Sequence, residues 1–131
     1  FKQPTPIQAQ CLAGMTTASQ RDVLIKSKTG SGKTLAFLLP LLNDLLLQPN
    51  AVSEKRGQAG TLALIMVPTR ELAVQTQQCL TSLLAKLRGK HHWLVSGALT
   101  GGDSRKSEKA RLRKGLHLVV ATPCLLYTSD A

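Results

Sequence analysis

The chain is 131 residues long and 43% hydrophobic, which suits one globular domain with a real core and excludes a repeat array or a disordered tail. Seventeen Lys and Arg against seven Asp and Glu leave a net charge of +10, an excess that points to a polyanionic partner. The most apolar run, residues 35–47, is broken by Pro40, Asn43 and Asp44 and is too short to cross a bilayer, and no signal-peptide pattern precedes it, so no membrane partner is expected.

Thr5-Pro6 reads as a cap followed by proline at the first helical position, predicting a helix over 6–14. Residues 16–21 are polar and turn-like, and 22–26 read as a short strand. That strand feeds Ser27-Lys28-Thr29-Gly30-Ser31-Gly32-Lys33-Thr34, a glycine loop that opens into a second helix over 33–47. Strand, loop and helix start in this order are what a phosphate-binding loop requires. Gly30 and Gly32 let the backbone wrap close to a polyphosphate, and the first N–H groups of the helix face it with the positive end of the helix dipole. Lys33 reaches the β- and γ-phosphates and the Thr34 hydroxyl holds Mg²⁺. The generic pattern G-x-x-x-x-G-K-[ST] has Ser27 at its first position here, still a small residue. The candidate nucleotide contacts are Ser27, Thr29, Gly30, Ser31, Gly32, Lys33 and Thr34, with Lys33 and Thr34 the groups that act on the phosphates.

The 33–47 helix is apolar nearly all round, which predicts burial against a sheet, and Pro40 is expected to kink it. Residues 48–60 form a polar loop. Residues 61–67 (TLALIMV) are apolar on both faces, as in a buried parallel strand. Leu72, Thr76, Cys79, Leu80, Leu83, Leu84 and Leu87 recur at a helical period, predicting a helix over 70–88. A third strand is expected over 93–98, a turn over 99–102, a basic helix over 105–114 and a fourth strand over 116–121. The 105–114 run carries six bases and one acid. It is either a solvated helix face or a nucleic-acid contact. Cys11, Cys79 and Cys124 are odd in number and lack metal-ligand spacing, so they read as buried or free thiols in a reducing compartment.

Strand–helix alternation at this spacing predicts an α/β fold, a doubly wound and mainly parallel sheet flanked by helices. In such sheets ligands gather beyond the carboxyl ends of the strands. The glycine loop, Pro68-Thr69-Arg70-Glu71, Gly101-Gly102 and Thr122-Pro123 all follow strands and are expected on one rim.

Four stretches together resemble the DEAD-box RNA helicases, specifically their N-terminal RecA-like domain: Phe1-Lys2-Gln3-Pro4-Thr5-Pro6-Ile7-Gln8, the loop at 27–34, Pro68-Thr69-Arg70-Glu71-Leu72-Ala73, and Gly101-Gly102 with Thr122-Pro123. The resemblance covers residues 1–123 and implies a partial RecA-like domain there. It implies ATP and Mg²⁺ as ligands, with Gln8 reading adenine; a side-chain amide offers the donor and acceptor that adenine N7 and N6 match. It further implies that Thr69, Arg70, Gly101, Gly102 and Thr122 touch the RNA backbone without regard to base sequence. On its residues alone, Arg70 could instead pair with Glu71. Trp93-Leu94-Val95-Ser96-Gly97 and residues 101–115 resemble the branch acting in assembly of the large ribosomal subunit, as does Ser27, which implies a nucleolar setting and pre-ribosomal partners.

The chain departs from the family pattern in three ways. The adenine-stacking aromatic lies upstream of Phe1, Cys124-Leu125 stands where Gly-Arg is expected, and the D-E-A-D segment and second RecA-like domain are missing. Residues 1–131 are therefore expected to be a piece of an ATP-dependent RNA helicase that binds ATP and RNA but does not hydrolyse ATP by itself. Residues 124–131 are expected to be a non-native or disordered tail. The alternatives are a non-catalytic ATP-gated RNA clamp and another P-loop ATPase acting on DNA.

Overall fold

A computed structural model of the chain describes residues 3, 5–14, 22–26, 28, 32–47, 60–86, 94–101 and 105–123. The chain divides into two compact units, Phe1–Pro49 and Asn50–Ala131.

In the first unit, helix α1 (Pro6–Gly14) packs against helix α2 (Lys33–Leu47). Both helices lie over the predicted residues. The α1 start is fixed by a reciprocal capping box. The Gln8 N–H donates to Thr5 Oγ1 at 3.4 Å, and the Thr5 N–H donates back to Gln8 Oε1 at 3.0 Å. Ala36, Leu38, Leu42 and Leu45 of α2 are buried, as is Cys11 of α1. The helix runs through Pro40, which is itself buried, so packing compensates for the backbone bond that proline cannot make. The strand expected over 22–26 is not formed. Leu24 is 95% exposed, and these residues have no ladder partner among the described residues of their unit; without one, an apolar run does not become a strand.

The second unit is built on a parallel sheet. Strands β1 (Ala63–Met66), β2 (Ser96–Leu99) and β3 (Leu118–Ala121) pair in the order β1-β3-β2. Helix α3 (Arg70–Lys86) joins β1 to β2 and packs on β2 and β3, while helix α4 (Arg105–Lys114) joins β2 to β3. The last of the described strands is thus the middle one of the three in space, and all four of its residues are buried. Hydrogen bonding extends past the strand ends: the Leu62 and Ala63 N–H groups donate to the His117 carbonyl, and the Val67 N–H donates to the Ala121 carbonyl. Nearly the whole predicted 61–67 segment therefore joins the ladder. On the β2 side His117 is 1% exposed and accepts the Val95 N–H at Nδ1 at 3.0 Å, an imidazole doing what a strand carbonyl does elsewhere.

Two predicted faces are corrected. In β1 only Ile65 is buried, and Leu64 and Met66 are about half exposed, because β1 is an outer strand among those described. In α3 the face turned inward is Ala73, Thr76 and Leu80, while Leu72 is exposed. The small Ala73 side chain permits close approach of the helix to the sheet, a need that a count of large apolar residues does not register. Burial pushes the Cys79 thiol up from its ordinary pKa, leaving it less nucleophilic at neutral pH.

Candidate functional site

In the first unit the start of α2 is organised around Gly32. Its φ of +87° is a left-handed conformation that residues with a Cβ seldom adopt. Its carbonyl accepts the Ala36 N–H at 3.1 Å, the first bond of the helix, and also Gln8 Nε2 at 3.2 Å. Gln8 is 6% exposed and ties the α1 capping box to the first residue of the lysine-threonine segment. One amide N–H and one oxygen lone pair remain on it beyond its partners among the described residues. Lys33 is exposed and Thr34 half-buried at the helix start. Ser27, Thr29, Gly30 and Ser31 lie outside the described residues.

The second unit brings the predicted RNA-contact residues to the carboxyl ends of its strands. Thr69 and Arg70 follow β1, Gly101 follows β2 and Thr122 follows β3. Thr69 Oγ1 accepts the Leu72 N–H at 3.2 Å, capping α3 and leaving its own hydroxyl proton to donate. Arg70 is exposed, and its Nε donates to the Thr100 carbonyl at 2.7 Å, linking the ends of β1 and β2. Thr122 is 8% exposed at the end of the central strand. Gly102 lies outside the described residues.

Sequence reasoning missed one residue here. Glu108 reads as part of a basic solvated helix, yet it is 4% exposed and its Oε1 accepts the Gly101 N–H at 3.0 Å. The available signal was its isolation, a single acid among six bases. Arg111 from the same helix donates from Nη2 to the Ala98 carbonyl at 3.0 Å, so one of the six basic residues is turned toward β2.

A parallel sheet flanked by helices, with a lysine-threonine pair at a glycine-capped helix start, is the architecture of a P-loop α/β protein. The DEAD/DEAH box helicase family model matches residues 5–129, and the chain belongs to that family. It is 44% identical over 124 residues to the ATP-dependent RNA helicase DBP7 of Meyerozyma guilliermondii, covering 94% of this chain and 16% of that protein. It is 52% identical over 103 residues to the probable ATP-dependent RNA helicase CG8611 of Drosophila melanogaster, covering 79% of this chain and 10% of that protein. The crystal structure of the yeast DEAD-box splicing factor Prp28 superimposes with a TM-score of 0.85 at 34% identity, over 98% of this chain and 29% of that one. The fold is accordingly RecA-like. The chain spans about one sixth of the length of the DBP7 relative it matches.

Proposed function

We propose that the chain is the ATP- and RNA-binding half of an ATP-dependent RNA helicase that remodels RNA or RNA–protein complexes in ribosome biogenesis. Residues 1–123 would act as its partial N-terminal RecA-like domain, and 124–131, outside the described residues, as a non-native or disordered tail. The carrying observation is the Gln8–Gly32 bond, which joins an adenine-sized hydrogen-bonding group to the start of the phosphate-binding helix. The residual donor and acceptor of Gln8 fit N7 and N6 of adenine. ATP with Mg²⁺ would be held by Gln8, Ser27, Thr29, Gly30, Ser31, Gly32 and Lys33, with Thr34 on the metal; the bound metal neutralises charge on the phosphates. RNA would be held through its backbone by Thr69, Arg70, Gly101, Gly102 and Thr122. The relatives named DBP7, together with residues 93–97 and 101–115, support the ribosomal setting and hence a nucleolar location and pre-ribosomal partners.

The test is calorimetric titration of the chain with non-hydrolysable ATP and GTP analogues. ATP should bind more tightly, and Gln8→Glu should erase the preference while keeping the acceptor that caps α1, at a loss of about 1–3 kcal/mol for ATP. Equal binding of both nucleotides by the unmutated chain would sink the adenine assignment.

The chain by itself should bind without turnover. Phosphoryl transfer needs a carboxylate-held metal, an oriented water and cationic charge on the departing group. Among the described residues the one buried acid, Glu108 of α4, is engaged with Gly101. An arginine finger from a second RecA-like domain, the expected partner, is worth ~10³–10⁵ in rate. Phosphate release that RNA stimulates and Lys33→Ala abolishes would show that these residues suffice for hydrolysis.

A further inference from the structure

The Thr100 carbonyl and the Gly101 N–H are the two poles of a single peptide group, and both are held by charged side chains. Arg70 Nε donates to the oxygen at 2.7 Å, and Glu108 Oε1 accepts from the nitrogen at 3.0 Å. Cation sits on the negative end of the peptide dipole and anion on the positive end, so each bond polarises the group in the sense that strengthens the other. We infer that Glu108 is a positioning residue for RNA binding, acting on Arg70 through the Thr100–Gly101 peptide. The inference rests on the reading of this rim as the RNA contact.

The geometry divides the work between the two ends. Glu108 is 4% exposed, so the Gly101 N–H points into the protein and is engaged there. A phosphate arriving from solvent therefore meets the exposed guanidinium of Arg70, while Gly101 is left to meet the RNA by close approach of its backbone and not through its N–H. Arg70 spends only Nε on the Thr100 carbonyl; its two Nη groups, four N–H donors in one plane, have no partner among the described residues. A guanidinium anchored by one edge presents the other as a fork matched to two phosphate oxygens. The plane of that fork is set by the direction of the Thr100 carbonyl, and the carbonyl is set by the peptide that Glu108 holds. An acid in a chain of net charge +10 thus favours a polyanion, because it orients a donor and is itself shielded from the ligand.

The test uses the 131-residue chain and labelled single-stranded oligo(U) and oligo(A), with affinity read by fluorescence anisotropy over a range of salt and folding checked by circular dichroism. Arg70→Ala should weaken binding of both RNAs about tenfold, the value of one charge-assisted contact, and flatten the salt slope by about 0.7. Glu108→Ala should do the same, and Glu108→Gln, which keeps the acceptor oxygen, should bind like the unmutated chain. The double variant Arg70→Ala/Glu108→Ala should lose no more than either single one, because the two act as one unit. Full additivity, or unchanged affinity in Glu108→Ala, overturns the inference and leaves the RNA reading standing. Absence of RNA binding by the unmutated chain, or no effect of Arg70→Ala, overturns both. Arg70→Lys guards against a Glu108 variant that fails to fold. The substitution is at an exposed site and keeps the charge but loses the fork, so affinity should fall nearly as far as in Arg70→Ala. Unmutated affinity there means that the anchored fork is not used, and the inference falls.

Discussion

Gly32→Ala is expected to destabilise the Phe1–Pro49 unit by about 2–4 kcal/mol, the sum of a backbone cost and a contact cost. A residue with a Cβ held at a φ of +87° is strained by about 1–2 kcal/mol. An ideal Cβ at this position would stand 2.5 Å from Gln8 Nε2 and 3.2 Å from Thr5 Oγ1. Gln8 must then give up the Gly32 carbonyl, at about 1 kcal/mol, and the capping box that shares its amide is disturbed as well. Gly60→Ala separates the two costs. Gly60 has a φ of +69° with nothing within 4 Å of the added carbon, so only the backbone strain of about 1–2 kcal/mol should be seen there. Native-state hydrogen exchange at the Ala9 and Ala36 amides, which bond to the Thr5 and Gly32 carbonyls, reports the opening of α1 and α2. Unchanged protection of these amides in Gly32→Ala would falsify the contact between the two elements.

The other large effect is expected at the middle of the sheet. Leu118 is fully buried, and β3 pairs it with Ala63 of β1 on one side and Ser96 of β2 on the other. Truncation to alanine removes buried methyl groups from a site that cannot collapse without disturbing two registers, at about 2–5 kcal/mol. Leu64→Ala makes the same chemical change one strand away, where the side chain is 50% exposed. That variant should lose under about 1 kcal/mol, since less of its surface is removed from water. Denaturant midpoints of the two variants, taken at unchanged slope, decide the matter. Equal losses would mean that β3 is not the buried centre.

Helix positions were legible because their signals are local. Thr5-Pro6, the lysine-threonine start of α2 and the period through Thr76 and Leu80 lie within the segments they specify, and α1, α2 and α4 cover the predicted residues. What failed depends on partners distant in the chain. Residues 22–26 have the composition of a strand, but a strand exists only where another supplies the hydrogen bonds. Composition gives 61–67 two apolar faces; an outer position in the sheet leaves Leu64 and Met66 half exposed. Glu108 sits in a local pattern that says solvent, and only the turn after β2, seven residues earlier, explains its burial. At the candidate sites residue identity was readable and engagement was not: Gln8 doubles as a helix cap, and Arg70 reaches the Thr100 carbonyl and not Glu71.

The order of strands also bears on how the chain is made. Among the described strands β1 and β2 leave the ribosome before β3, yet neither bonds the other and each bonds β3. From Met66 to Ala121 is 55 residues, about 3–11 s of synthesis at ordinary rates. Throughout that interval the β1 backbone has no ladder partner among the described strands, and its leucine-isoleucine-methionine segment stands open to another nascent edge. Among the described strands β3 is the one that completes both pairings, so in the cell the time for which β1 waits for it is set by the speed of translation.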